Sequence, residues 1–244
     1  MKTFAALFLF LAAPAALAAA DTCVRIENHT DEYYHMGQTH AAVDRIDEIW
    51  FGDDKVAYVT GNQKFIFDAG DSSFVFVNLR DSSYAESTLP FDWALLVSKD
   101  TYAFLERYRR CGEVKDTVAT KTIGGRLCRE YEIDSWLNVE DGRYNEREEK
   151  VWMSDELPLD WELFRRVHRD FLELSNYDDD LITELLKIDG FSVATESKTY
   201  IEGFSVNSRE KVIDVSEKTA PPGLYAIPGG FSKKSELTIE DVNG

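Results

Sequence analysis

Lys64-Phe65-Ile66-Phe67-Asp68-Ala69-Gly70-Asp71-Ser72-Ser73-Phe74-Val75-Phe76-Val77-Asn78-Leu79 is the stretch that decides how the chain is read. Gly70 to Ser73 is a run of turn formers. The segments on either side are short and rich in aromatic and β-branched residues, so they read as an antiparallel pair of strands, Lys64–Asp68 and Phe74–Leu79. Successive side chains of a strand point to opposite faces, yet Phe65-Ile66-Phe67 and Phe74-Val75-Phe76-Val77 are apolar without alternation. Antiparallel strands commonly keep one wet face. Both faces of this pair therefore need cover, either from two packed layers or from an apolar space that a ligand fills.

The same reading extends outward. Val24–Tyr34, Val43–Phe51 and Lys55–Thr60 are strand candidates, divided by Gly52-Asp53-Asp54 and Gly61-Asn62. Ser98–Arg110 reads as a helix, with Ser98 as N-cap, Asp100 at the positive end, arginines at the negative end, and Tyr102, Leu105 and Tyr108 facing inward. Glu113–Thr122 and Arg126–Trp136 form a hairpin around Gly124-Gly125, which places Val118 opposite Tyr131 and Asp116 opposite Ile133. A second hairpin turns at Asp141-Gly142 and runs into Glu148–Ser154. Asp160–Ser175 carries the strongest helical pattern, Trp161, Phe164, Val167, Phe171 and Leu174, at steps of three or four. Leu181–Ile188 adds a short helix capped by Asp180, and strands Ser192–Tyr200 and Phe204–Val215 turn near Glu202-Gly203. Pro221, Pro222, Pro228 and Gly229-Gly230 mark an irregular tail anchored by Leu224, Tyr225, Ile227 and Phe231. The order gives one α+β domain over residues 21–244. Its antiparallel sheet has about nine to eleven strands, and both main helices lie on one side.

Residues 1–20, MKTFAALFLFLAAPAALAAA, have the layout of a cleaved leader. Lys2 is the charged n-region, Phe4 to Leu17 the apolar h-region, and Leu17-Ala18-Ala19-Ala20 the small-residue cleavage pattern before Asp21. Thr22 precedes Cys23 where a lipid-modified cysteine needs a small residue, so no lipid anchor is expected. No later run reaches the length of a membrane-spanning helix. The expected location is the periplasm. Forty-five acidic against 27 basic residues leave a net charge of −18, a field that repels nucleic acid and anionic lipid surfaces. Cys23, Cys111 and Cys128 are compatible with one bridge plus one buried thiol. Cys111–Cys128 is preferred over a bridge to Cys23 because the two are nearest in sequence and border the same hairpin.

Catalytic and metal chemistry find little footing. Asn176, Asp178 and Asp180 alternate like calcium ligands, but the loop has Leu181 where its sixth-position glycine belongs and Lys187 in place of the closing glutamate. His29, His35 and His40 share no strand face and lack zinc spacings. His168 borders the buried stripe of its helix and reads as a satisfied boundary histidine. There is no Gly-x-Ser-x-Gly elbow and no activated-thiol signature. No metal, no cofactor and no enzymatic activity are expected.

Arg45-Ile46-Asp47-Glu48-Ile49-Trp50-Phe51-Gly52-Asp53-Asp54-Lys55-Val56-Ala57-Tyr58 resembles a family of exported bacterial proteins of unknown function. So do the segments Phe65–Asp68, Asn78–Tyr84, Lys121–Tyr131 and Tyr225–Phe231. That family is similar in strand order to the lipoprotein carrier LolA and the outer-membrane lipoprotein receptor LolB. The resemblance implies a curved antiparallel sheet, an incomplete barrel, with helices closing its open side over an apolar cavity that takes acyl chains. It also implies an arginine near the cavity that helps to hold the lid. Arg45 is its nearest counterpart, against the plainer reading of a surface arginine. The implied function is a non-enzymatic binding protein for an apolar or acylated ligand, with a lipid or an acylated protein as its partner. The alternative is a scaffold or protein-interaction module of the cell envelope with no small ligand. If a ligand fills the space under the two-sided strands, its walls are expected from Trp50, Tyr58, Phe65, Phe67, Phe76, Phe104, Phe164 and Phe171.

Overall fold

In the computed structural model, residues 20–35, 37–139, 142–201 and 203–243 are described. Residues 1–19 of the expected leader, and Asp141 and Glu202 of the expected turns, lie outside them. The quoted stretch forms the expected hairpin, β6 (Gln63–Asp68) and β7 (Ser73–Asn78), with Phe65 facing Phe76 and Phe67 facing Phe74. Upstream lie β1 (Asp21–Thr30), the short pair β2 (Tyr33–His35) and β3 (Gln38–His40), β4 (Val43–Phe51) and β5 (Lys55–Thr60). Downstream come β8 (Ser83–Thr88), β9 (Arg110–Ile123), β10 (Arg126–Val139), β11 (Gly142–Ser154), β12 (Phe191–Ile201), β13 (Phe204–Lys218) and the two-residue β14 (Ser232–Lys233).

Twelve of these strands form one sheet in the order β14-β8-β7-β6-β5-β4-β1-β13-β12-β11-β10-β9, and β2 pairs only with β3. The architecture is mostly β, and the sheet does not close into a barrel. Twelve strands exceed the expected nine to eleven, since β8 and β14 carry little apolar pattern of their own. β14 runs parallel to β8, so the sheet is antiparallel everywhere but at that edge.

The helices are α1 (Lys99–Arg107), α2 (Trp161–Leu174), α3 (Asp179–Leu185) and α4 (Ile239–Asn243). Ser98 Oγ accepts from the Thr101 amide and Asp160 Oδ1 from those of Glu162 and Leu163, which starts α1 and α2 at the expected caps. Asp178, not Asp180, caps α3, accepting from the Leu181 amide. Leu105 of α1 and Leu163, Phe164 and Val167 of α2 enter the same core as Phe65, Phe67, Phe74 and Phe76, so both helices serve one side of the sheet. The opposite face of the paired strands is covered too. Ile66 and Val77 are buried, and the Lys64 ammonium donates to the carbonyls of Gly223 and Ala226 in the tail at 3.1 and 2.8 Å. Among the described residues no helix is long and apolar enough to cross a membrane.

Two expectations about β9 and β10 are corrected. The hairpin keeps the Gly124-Gly125 register as far as Arg129↔Thr120 and then shifts, so that Tyr131 faces Asp116 and Ile133 faces Val114. Val118, in the left-handed region with φ 56°, sits in the irregular stretch that absorbs the shift. The same shift sets Cys111 opposite Trp136 while Cys128 stays opposite Lys121. The preferred Cys111–Cys128 bridge is not formed, and all three cysteines are free thiols.

Candidate functional site

Between the inner face of the sheet and the pair α2–α3 lies a half-open cleft of about 490 Å³. Phe164, Phe171 and Leu172 of α2, Leu185 of α3, and Phe51 and Val151 of the sheet give it an apolar wall. Its remaining wall is charged. Asp47, Arg110, Arg147, Glu149 and Glu210 come from β4, β9, β11 and β13, with Tyr58 and Tyr177 beside them. Each charge continues an apolar strand face. Arg147 and Glu149 precede Val151 and Met153 at alternate positions of β11, and Asp47 precedes Ile49 and Phe51 in β4.

The charges are held with different completeness. Asp47, 2 % exposed, accepts from Arg45 Nε at 2.8 Å, Arg45 Nη2 at 3.1 Å, Asn28 Nδ2 at 3.0 Å and the Tyr58 hydroxyl at 3.1 Å. Burial, reinforced by the Asp47 charge, holds the Tyr58 phenol far above its ordinary range. Arg45 thus braces Asp47 in the cleft wall and is bound to no helix among the described residues. Glu149 pairs with Arg147 Nη2 at 2.9 Å, and burial still raises its carboxyl above the ordinary value. Glu210 opens onto the cleft with no hydrogen bond or ion pair among the described residues, and desolvation raises it as well. Burial and the neighbouring Arg147 push Arg110 down, and burial pushes Tyr177 up to about 12. His168 stacks on Phe164 at 4.6 Å between ring centres, and burial lowers its pKa.

The eight expected wall residues separate. Tyr58, Phe164 and Phe171 line the cleft. Phe65, Phe67 and Phe76 are packed into the core beside it, with Phe67 4.5 Å from Phe171 and Phe65 5.4 Å from Phe76 between ring centres. Trp50 is on the opposite face, in a small cluster with Cys23, Ala57 and Leu224 under the tail. Phe104 is 48 % exposed, with its ring against Tyr108 at the end of α1. The charged wall was not among the sequence candidates. Its signal is a charge standing where an apolar alternation continues, as at Asp47 and Glu149.

No family model matches the chain, and no curated protein does. Similar solved structures include PNGF-II in the C2 space group, with a TM-score of 0.41, 12 % identity, 92 % of this chain and 32 % of that one covered. PNGF-II in the P21 space group matches with a TM-score of 0.42, 12 % identity and coverages of 92 % and 33 %. The chain spans about a third of the length of those structures.

Proposed function

We propose that the protein is an exported, periplasmic, non-enzymatic binding protein. In this reading it holds an acylated, lipid-like ligand between sheet and helices, on the α+β, curved-sheet plan of the LolA/LolB carriers. The observation that carries the reading is a cleft of about 490 Å³, within the usual size of ligand sites, whose walls are apolar on one side and polar on the other. An acyl chain lies along Phe164 and Phe171, and a polar head meets the charged strands. The cleft's serine and threonine hydroxyls support binding over chemistry: Ser175 Oγ donates to the Phe171 carbonyl, and Ser192 and Thr195 bond to each other, so none of the three is coupled to a base.

Native mass spectrometry of the protein purified from its own host, followed by lipid extraction, tests this. A stoichiometric lipid or acylated adduct is expected. A ligand-free protein that also fails to take up a fluorescent fatty acid would reject it. Intact mass checks the export reading, with cleavage between Ala18 and Asp21 expected, and a diacylglycerol adduct on Cys23 counting against it.

A scaffold role without a small ligand draws on the other face. A shallow groove of about 660 Å³ there is lined by Glu132, Lys150, Glu196 and Arg209, charges of alternating sign opposite one another on consecutive strands. Clean apo protein that captures a partner through this face would favour that role.

A further inference from the structure

Away from the Asp47 network, the charged wall of the cleft consists of Arg110, Arg147, Glu149 and Glu210. Only Arg147 and Glu149 touch, at 2.9 Å. Arg110 gives its Nη1 to two neutral oxygens, Ser135 Oγ at 3.3 Å and the Asn145 carbonyl at 3.0 Å. The Nε of Arg147 is buried and meets no acceptor among the described residues. Tyr177 stands beside Arg110 because their backbones are bridged: Arg110 donates to the Asn176 carbonyl, and the Asp178 amide donates to Arg110. Its phenol lies within electrostatic reach of Glu149, of both guanidiniums and of Glu210, and its hydroxyl has no hydrogen-bond partner among the described residues. Three donors without a charged acceptor of their own, Arg110, the Arg147 Nε and the Tyr177 hydroxyl, therefore line one cleft, whereas its acceptor Asp47 already receives four hydrogen bonds.

A guanidinium taken out of water without a counter-ion is costly, and a charge-assisted N–H···O⁻ bond is among the strongest that can offset that cost. We propose that the cleft recognises its ligand by a singly charged anionic head group, a carboxylate or a phosphodiester, held by Arg110, the Nε of Arg147 and the Tyr177 hydroxyl. This rests on the acyl-binding reading above and specifies its ligand. Glu149 takes the Nη2 of Arg147, and Glu210 stands on the same strand wall two strands away, so the two carboxylates balance the two guanidiniums. That balance disfavours a head group with two or more negative charges.

The test titrates the full-length mature chain with 11-(dansylamino)undecanoic acid and, separately, with its methyl ester, following dansyl fluorescence. The acid is expected to bind more tightly than the ester. Arg110→Met and Tyr177→Phe should each weaken the acid by about tenfold to a hundredfold, the worth of a hydrogen bond to a charged group, and shift the ester by less than about twofold. Tyr177→Phe keeps the ring and the backbone bridge, so it reports on the hydroxyl even if Arg110→Met folds poorly. Competition identifies the source: displacement by decanoate marks a carboxylate, and displacement by lysophosphatidylglycerol a phosphodiester. Equal binding of acid and ester, equal displacement by uncharged decanol, or an acid titration unmoved in Tyr177→Phe overturns the anion site while leaving cleft binding intact. Failure of both probes to bind overturns the acyl-binding reading and the anion site with it.

Discussion

Phe76→Ala separates a filled core from a lined cavity. Phe76 is 3 % exposed and packs on Phe65 from the facing strand at 5.4 Å between ring centres. A buried phenylalanine removes about 150 Å² or more from water, close to 4 kcal/mol at about 25 cal/mol per Å². Truncation restores a small alanine contribution and leaves an unfilled space, so the expected loss is about 3–5 kcal/mol. For a domain of this size that lowers the melting temperature by about 10 °C. Urea unfolding followed by the fluorescence of the five tryptophans, at unchanged slope, measures it directly. Phe171 is only partly buried and faces the cleft, so Phe171→Ala should cost about 1–2 kcal/mol, the range of ordinary substitutions. Uptake of a fluorescent fatty acid should respond in the opposite order, changed in Phe171→Ala and kept in Phe76→Ala. A Phe76→Ala protein that loses less than about 1 kcal/mol, or that alone loses uptake, would show that the cavity runs under β6 and β7 instead of beside α2.

Glu210→Gln should stabilise the protein near neutral pH. Burial raises the Glu210 carboxyl from its ordinary 4.5, so the stability it contributes is full below about pH 4.5 and is lost as the pH rises through the folded value. The gain from the glutamine should therefore close as the pH falls to about 4.5, and a gain constant across that range would refute the assignment. Gly190 has φ +105°, and an added Cβ would meet the Ser154 backbone at 2.8 Å, whereas Gly125, at φ +81°, has nothing within 4 Å. Gly190→Ala should thus cost more than about 3 kcal/mol and Gly125→Ala only the conformational part, about 1 kcal/mol, both read by urea unfolding. Peptide mapping without reduction should find three free thiols. Cys111 should react slowly with a disulfide reagent at pH 8, because burial pushes its thiol up to about 11 and leaves little thiolate.

What was legible in the chain follows the range of each signal. The caps Ser98 and Asp160, the stripe of α2 and the β6–β7 hairpin are set by neighbours within a few positions, and each stands where the residues indicated. The register beyond Arg129 was not legible, because Thr117 to Ala119 have no bulge signature and Val118 is an unusual residue for positive φ. Phe104 misled for a related reason: α1 is short and buries only Leu105 fully, which leaves its neighbour turned to solvent. Arg110, Arg147, Tyr177 and Glu210 meet only through pairing across five strands and a helix–helix loop. In a chain with 45 acidic residues nothing local distinguishes Glu210 from a surface charge.

The cleft lies where two unlike halves of the sheet meet. β5 to β8 are six residues each, and aromatic rings from α2 and from the strands themselves fill their inner face. β9, β10 and β11 run 14, 14 and 13 residues, and β13 runs 15. A strand of 14 residues is about 46 Å long at 3.3 Å per residue, while a helix of 14 residues such as α2 is about 21 Å. One helix and its short neighbour α3 cannot roof such strands, so part of their inner face remains open to water. At that boundary a strand serves the helices with Val151 and Met153 and the open side with Arg147 and Glu149, two residues further along the same face. The amphipathic character of the cleft is thus a consequence of strand length exceeding helix length. A wholly apolar ligand would leave Arg110 and Glu210 desolvated without a counter-ion, and a wholly polar one would leave Phe164 and Phe171 against water. A molecule that carries both characters within a few ångströms satisfies both walls.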